Sequence, residues 1–549
     1  MRLGRLIRTL RWLKREQLFY QVLNRLRKRL ENPASLERRR PSADQWRLGE
    51  QVIVPDVWPP VPPQSLSELA QRKFRFLNDT HTLDPALAWQ PIGLPRLWTY
   101  NLHYFDWLWS CVDHGDAGWQ VARDLTTNWI ATHLPRSCAT GWEPYPSSLR
   151  IMNWSLLFGG RWREQLRNDH AFRELLTTSI WSQSCWLAAH LEYHLLANHL
   201  LENAAALVVV GRCFDGEDAL RFRQRGNSIA ARQLREQILD DGMHFERSAM
   251  YHARMCWLVA VLQVYGDANV AAMAGQLLPR MLDAMAKVTH PDGQIALLND
   301  AAIGVYVQPP IRETACGSWS LANAGYFGWR SSQNDYLIVD CGEVGPTYQP
   351  GHAHADTLSF EWSLAGQRFI TDTGTFEYSV GSQRNYDRST LAHNTLSING
   401  QDSSEVWGGF RVGYRCVPKV ESQCQSDHEF RLTGSYSTRN NWQHRRTFVC
   451  RTGLLTIEDQ VTGKGTANIE GRFHFAPDVN VELQDDSNAV LRQRDRKIWL
   501  RCDGDGARMR ILETRYSPEF GINQPRWSIA INCESMGQTS WRSQFCVDG

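Results

Sequence analysis

Up to about residue 310, apolar side chains recur at helical spacing. "SIWSQSCWLAAHLEYHLLANHLLENAAALVVVG" and "CWLVAVLQVYGDANVAAMAGQLLPRMLDAMAKV" keep Leu, Val, Ala and Trp three and four positions apart. Short Gly/Pro/Asp punctuation such as "GRCFDGED" and "HPDGQ" separates these runs. Beyond that point the period changes to two. "DYLIVDCG", "TLSFEWSL", "RFITDTG", "RTFVCR", "LLTIEDQV", "KIWLRC" and "RWSIAIN" are short strand-like runs joined by turns of the type "AGQ", "SING" and "CDGDG". The pattern predicts a helical domain over residues 66–310 and an antiparallel β-sandwich over 311–549. The proline-rich "VPDVWPPVPPQS" (54–65) reads as an extended connector that closes an N-terminal arm, residues 1–65.

Length agrees with more than one domain, because 549 residues exceed what a single hydrophobic core organises. Apolar content of 42% and charged content of 21% are those of a globular chain, without a disorder signature. The net charge of +2 conceals an uneven distribution: thirteen Lys/Arg and three acids fall in the first forty residues. The remainder is therefore slightly acidic, which excludes a generally basic nucleic-acid binder. Tryptophan is unusually common, at 23 residues; exposed rings would be platforms for sugar faces, and core packing is the alternative. The thirteen cysteines show neither paired spacing nor a zinc-knuckle pattern, and a reducing compartment suits them.

The first thirty residues contain no apolar core or small-residue cleavage site of the secretory type, and no apolar run reaches the ~18 residues of a membrane span. The expected location is the cytoplasm. Leu3, Leu6, Leu10 and Leu13 share one helical face among arginines. Two readings follow: a basic helix packed on the first domain, or peripheral attachment to an anionic membrane surface or a polyanion.

Three segments carry candidate chemistry. In "NHLLENA", His199 and Glu202 lie three apart on one helical face, where a carboxylate can orient an imidazole, and Asn198 sits about 100° round the helix. A self-satisfied buried polar cluster is the alternative. In "DGMHFERSAMYH" a turn precedes Glu246, Arg247 and Tyr251, and a tyrosine so placed can serve as acid or base. In "GHAHADTLSFEWSLAGQRFITDTG" His352 and His354 would face one side of a strand, with Asp372 across a hairpin and His393 before another strand. Two imidazoles and a carboxylate from neighbouring strands match a zinc shell, and a metal-free His/Asp network is the alternative.

Together these segments resemble the heparinase II/III-type polysaccharide lyases, relatives of the alginate lyases built as an N-terminal (α/α) toroid followed by a C-terminal antiparallel β-sandwich. The resemblance rests on "WEPYPSSLRIMNW" (142–154), "NHLLENA" (198–204), "DGMHFERSAMYH" (241–252), "PDGQIALLND" (291–300), "GHAHADTLSFE" (351–361) and "RSTLAHNT" (388–395), in the family's order. It implies catalytic roles for Asn198, His199, Tyr251 and His352, with Glu202 a substrate-site glutamate. It also implies that His354, Asp372 and His393 hold a structural Zn2+, with no organic cofactor. A bulge or turn at "GHAHAD" would then be needed to part the two histidines. Arg150, Asn153 and Trp154, with Tyr100, Asn101 and His103, are candidate cleft walls, and Glu246 a further substrate contact.

The implied reaction is β-elimination on an anionic, uronate-containing polysaccharide. Hydrogen-bond donors neutralise the uronate carboxylate, Tyr251 or His199 removes the C5 proton, and Tyr251 protonates the leaving oxygen. The absence of an export pattern points to capsule, exopolysaccharide or O-antigen metabolism. Two rivals stand beside this reading. A glycoside hydrolase would use a carboxylate pair such as Glu202 and Glu246; a non-catalytic glycan-binding or assembly protein would keep the fold alone.

Overall fold

The computed structural model describes residues 2–30, 57–84, 89–133, 140–311, 314–504 and 506–548. Residues 31–56, the middle of the predicted arm and the first three positions of its proline-rich connector, lie outside the described residues. The chain is a helical toroid followed by a β-sandwich, as the change of hydrophobic period implies. The last long helix ends at Lys287 and the first strand of the large sheets begins at Gly317.

The helices form two layers, and composition assigns each to its layer. Pro144–Leu156, Ala197–Cys213 and Ala249–Tyr265 are buried almost all round. Helices apolar on every side belong inside. Their successors His170–Ala189, Glu217–Gln237 and Ala268–Lys287 bury one stripe and show the other to water. Gly226 brings the outer helix Glu217–Gln237 against its inner partner, since a Cβ there would lie 2.8 Å from the Ala204 carbonyl oxygen and from Val208. Helix starts are defined locally: Asp169, Ser248 and Asp267 cap through side-chain oxygens, and Pro144 occupies a first helical position.

The β domain has two main sheets, both antiparallel. Gly317–Leu321, Tyr326–Arg330, Tyr336–Asp340, Phe360–Leu364 and Gln367–Ile370 form a five-stranded meander. Ten strands between Leu396 and Val547 form the larger sheet, organised around the long Leu454–His474 and Gln524–Val547 pair. One face of the meander packs on the large sheet: Phe360 lies 5.5 Å from Phe448 and Trp362 lies 6.0 Å from Phe545, between ring centroids. Its other face, with Trp319, Tyr326, Tyr336 and Ile338, packs on Met250, Met285 and Ile295 of the helical domain. Tyr336–Asp340 and Phe360–Leu364 are thus buried at every position, which explains why "YLIVD" is apolar on both faces.

The N-terminal arm does not pack on the first domain alone. Its helix Arg2–Leu10 docks on the β domain, where Arg5 and Arg8 bind Glu405 at 3.1 and 2.7 Å. Its helix Arg15–Leu30 docks on the toroid, where Tyr20 stacks on Tyr193 at 4.7 Å and Arg27 donates to the Ala189 carbonyl.

Trp362 sits at the centre of the sandwich, fully buried against Phe369 and Phe545. Trp362→Ala is expected to cost about 3–5 kcal/mol, read as a lowered urea midpoint of the β domain's tryptophan and circular-dichroism transition. An unchanged midpoint would show that the two sheets do not depend on this contact.

Candidate active site

The site forms where the first turn of the inner helix Ala197–Cys213, the start of Ala249–Tyr265 and the segment 341–359 of the β domain meet. Two consecutive residues with positive φ, Leu196 (63°) and Ala197 (51°), turn the chain sharply into the first helix. Such strain in non-glycine residues gathers at functional sites. Gln237 holds the turn by donating to the Ala197 carbonyl at 2.8 Å. Asn198 and His199 follow directly. Among the described residues, no protein group engages the Asn198 carboxamide. The His199 Nδ1–H donates to Glu192 at 3.2 Å, and Asn203 steadies that carboxylate from its other oxygen at 3.1 Å. Burial alone would lower the proton affinity of His199; Glu192, with Glu246 and Glu202, outweighs it and raises the pKa above the ordinary histidine value.

Tyr251 is set by its helix cap. Ser248 Oγ accepts the Tyr251 backbone N–H at 3.3 Å and donates to the Asp300 carbonyl at 2.6 Å. The Tyr251 ring lies on His352, 4.1 Å between centroids, and its hydroxyl meets that of Tyr378 at 3.1 Å. Burial first, then the neighbouring Tyr378 and Tyr306, pushes the Tyr251 pKa well up, so it rests as a neutral phenol.

His352 and His354 lie in a turn, not a strand, which disposes of the problem posed by strict alternation. Both bind one carboxylate. His352 Nδ1–H donates to Asp300 Oδ2 at 2.9 Å and His354 Nε2–H to Oδ1 at 2.7 Å. Arg384 closes on the same carboxylate with both terminal nitrogens, one of them at 2.7 Å. Burial would raise the Asp300 pKa, but Arg384 and the two imidazoles hold it well below the usual carboxylate range. With Nδ1 committed to Asp300, the Nε2 of His352 is left for a ligand.

Glu246 ties the two halves together. It is buried, accepts the Asn198 backbone N–H, and lies within electrostatic reach of both His352 and His199. Desolvation raises its pKa, and the two histidines oppose that rise. His199 and His352, with side chains 28% and 15% exposed, and Tyr251 are the accessible members of this otherwise buried group. A groove of about 520 Å3 lined by Met250, Ala253 and Tyr306 opens beside them, although its walls do not include the four candidate residues.

A family model for the heparinase II/III N-terminus matches residues 103–308, and one for the heparinase II/III-like C-terminal region matches 314–542. The chain belongs to the heparinase II/III-like family. Curated relatives are a heparin-sulfate lyase of Pedobacter heparinus, 25% identical over 60% of this chain, and one of Bacteroides stercoris, 23% identical over 64%. The matches cover 52% and 57% of those proteins, so the chain spans about half the length of the curated relatives it matches. A mutant of the heparan sulfate lyase HepC from Pedobacter heparinus superposes with a TM-score of 0.64 at 18% identity, covering 94% of this chain and 87% of that one. Heparinase III superposes with a TM-score of 0.69 at 17% identity, covering 84% and 79%. At those identities the structures establish the shared fold.

Within this heparinase II/III-like frame, several sequence-based assignments move. Glu202 does not orient His199. It is buried in a two-point ion pair with Arg254, at 2.7 and 3.2 Å, and faces no substrate space. Glu192, seven residues before His199 and outside the helix, orients it instead. Arg150 is fully buried, donating to Gln183 and the His103 carbonyl and stacking on Trp129. Trp154 and Asn153 are likewise interior, because the helix Pro144–Leu156 is an inner-layer helix with no open face, and His103, on the helix Arg96–Tyr104, is buried where it accepts from Trp129 at 3.1 Å. Asn101 donates back to the Leu97 carbonyl of its own helix. Tyr100 remains part-exposed, its hydroxyl donating to Glu143 under the Arg96 guanidinium.

The metal-ligand candidates also rearrange. His354, Asp356 and His393 bring one donor atom each within 4.8 Å of one another. His354 Nδ1 and His393 Nε2 are buried without a hydrogen-bond partner. Asp356 and Asp340 are buried carboxylates whose pKa values desolvation raises; the charge of Asp356 adds to the rise at Asp340, and at Asp356 the His393 charge opposes the rise while Asp372 adds to it. Two orphaned imidazole nitrogens beside a buried carboxylate fit a His/His/Asp zinc shell. Asp372 instead accepts the His393 Nδ1–H at 2.7 Å, as an outer carboxylate that fixes a ligating tautomer.

Sequence reasoning passed over Glu192, Arg254, Asp300, Asp356, Tyr378 and Arg384. Two of these stood inside quoted motifs, Asp300 closing "PDGQIALLND" and Asp356 ending "GHAHAD". Asp300→Asn would leave the Arg384 guanidinium buried without its counter-charge, a loss of about 3–5 kcal/mol. Denaturant titration of the variant is expected to show that loss, and stability within about 0.5 kcal/mol of the parent would remove Asp300 from its central place.

Proposed function

We propose that this chain is a polysaccharide lyase that cleaves a uronate-containing polymer by β-elimination. The observation that carries the reading is the convergence of Asn198, His199, Tyr251 and His352 on one site, each with a different hydrogen-bond commitment. His199, whose proton affinity Glu192 raises against the effect of burial, and Asn198, an uncommitted amide, are donors suited to a uronate carboxylate and to the enolate-like charge that develops on it. His352, its Nδ1–H given to Asp300, offers Nε2 as the base for the C5 proton. Tyr251, held as a neutral phenol, is the acid for the leaving glycosidic oxygen. The tyrosine thus serves as acid rather than base, since its raised pKa disfavours the phenolate.

The hydrolase alternative loses its acid/base pair, because Glu202 is locked on Arg254 away from solvent. Among polymers, we favour weakly sulfated capsule, exopolysaccharide or O-antigen types over sulfated glycosaminoglycans. The arginines around the site already serve protein acceptors: Arg247 the Glu343 carbonyl, Arg254 Glu202, Arg384 Asp300, and Arg388 the Ala353 carbonyl. We further propose that His354, Asp356 and His393 hold a Zn2+ that braces the turn carrying His352; when bound, the ion supplies structural charge rather than chemistry on the sugar.

Purified protein is to be mixed with heparosan, heparan sulfate, alginate and bacterial uronate polymers while the far-ultraviolet absorbance of an unsaturated uronate is followed. Product is expected, with Tyr251→Phe reducing kcat by about 10²–10⁴. A silent panel would favour a glycan-binding role. The kcat/KM profile should fall as pH rises through the His199 pKa, above the ordinary ~6.5, because the imidazolium is then lost. Glu192→Gln removes the carboxylate that raises that pKa and should shift this limb to lower pH; an unmoved limb would take His199 out of the assignment. Elemental analysis should find about one zinc per chain, lost in His393→Ala and in Asp356→Ala and weakened about 10–100-fold in affinity in Asp372→Asn. Full retention in Asp356→Ala would return Asp372 to the ligand set.

A further inference from the structure

The N-terminal helices are docked the opposite way to ordinary surface helices. Several of their polar side chains face the protein. Beyond the Glu405 pairs of Arg5 and Arg8, Thr9 accepts from Trp407 at 3.1 Å, Lys14 lies 3.8 Å over the Tyr348 ring, and Asn24 meets His194 at 3.1 Å. Their apolar side chains face solvent. Leu3 (70% exposed), Leu6, Ile7 (58%) and Leu10 line one helix; Leu18, Phe19 (62%), Val22 and Leu26 line the other. The spacing of three and four keeps each set on one face. Eight large apolar side chains turned to water on two successive helices form a patch of the kind that marks a contact surface.

We infer that this face lies on an anionic lipid bilayer. Residues 2–30 carry ten Lys/Arg and a single acid, Glu16, so the apolar stripes are set among cations. Arg11, Arg15 and Arg25 belong to that set and interrupt or flank the stripes, where they would meet lipid phosphates while the Leu, Ile, Val and Phe side chains enter the acyl boundary. Among the described residues no helix is long and apolar enough to cross a membrane, which suits a pair lying in the interface plane. One helix is fastened to the β domain and the other to the toroid, so a bilayer engaged by both would hold the two domains of the site in one orientation. The inference rests on the arm alone and stands apart from the proposed reaction.

Flotation of the full chain with phosphatidylglycerol vesicles and with phosphatidylcholine vesicles tests it. Binding is expected on the anionic vesicles, weakened by high salt. The triple variant Ile7→Ser, Phe19→Ser, Val22→Ser alters exposed positions only and should lower vesicle affinity by about a hundredfold at unchanged melting temperature. A second variant, Arg11→Gln, Arg15→Gln, Arg25→Gln, keeps the apolar face and should lose the preference for anionic lipid. Failure of the full chain to float, or undiminished binding by the apolar triple variant, would overturn the inference. So would a dimer in light scattering that the apolar triple variant dissolves, since the face would then belong to a second copy.

Discussion

The site is built on one buried carboxylate. Asp300 accepts from His352, His354 and Arg384, while its backbone carbonyl accepts from the serine that caps the Tyr251 helix and its backbone N–H donates to the His352 carbonyl at 2.9 Å. An ion removed from water loses several kcal/mol of hydration, so such a group is tolerated only where its partners are complete. Here completion requires the toroid's helix start, the β domain's turn at 351–356 and the segment bearing Arg384 to converge. The same requirement sets the tautomers of two histidines and leaves one outer nitrogen of each for other work: Nε2 of His352 toward the open side, Nδ1 of His354 toward Asp356 and His393.

Convergence is possible because the five-stranded meander is buried on both faces. Its aromatic and aliphatic side chains pack on the large sheet from one side and on the toroid from the other. The β domain is therefore seated on the helices by a continuous apolar layer, and residues from both domains keep their register across it. Sheets packed in this way behave as interior structure rather than as an interdomain hinge.

Carboxylates elsewhere in the site take their roles from their partners. Glu202 and Glu192 are both within reach of His199 in sequence, yet Arg254 from the neighbouring inner helix captures Glu202, and a buried two-point guanidinium pair outcompetes a longer contact to an imidazole. Glu192 is then the carboxylate that raises the His199 pKa. Glu246, with no cation of its own, remains between two histidines whose charge it senses.

By itself the sequence determined the two-domain architecture, because hydrophobic period is a local property: 3.6 through the toroid and 2 through the sandwich, with a visible change near residue 310. Motif order likewise brought out Asn198, His199, Tyr251, His352, His354 and His393, which the structure gathers into two adjacent clusters. Tertiary structure alone decided partnership. "SLRIMNW" could be a cleft wall or an inner-helix core until the helix was seen with no open face, and burial then committed Arg150 and Trp154 to packing. Glu192, Asp300 and Arg384 carry no periodic signal, since each acts through a partner 7 to 84 residues away. Spacing along a chain reports which face a residue occupies, whereas only the folded molecule brings the opposite charge that fixes what the residue does.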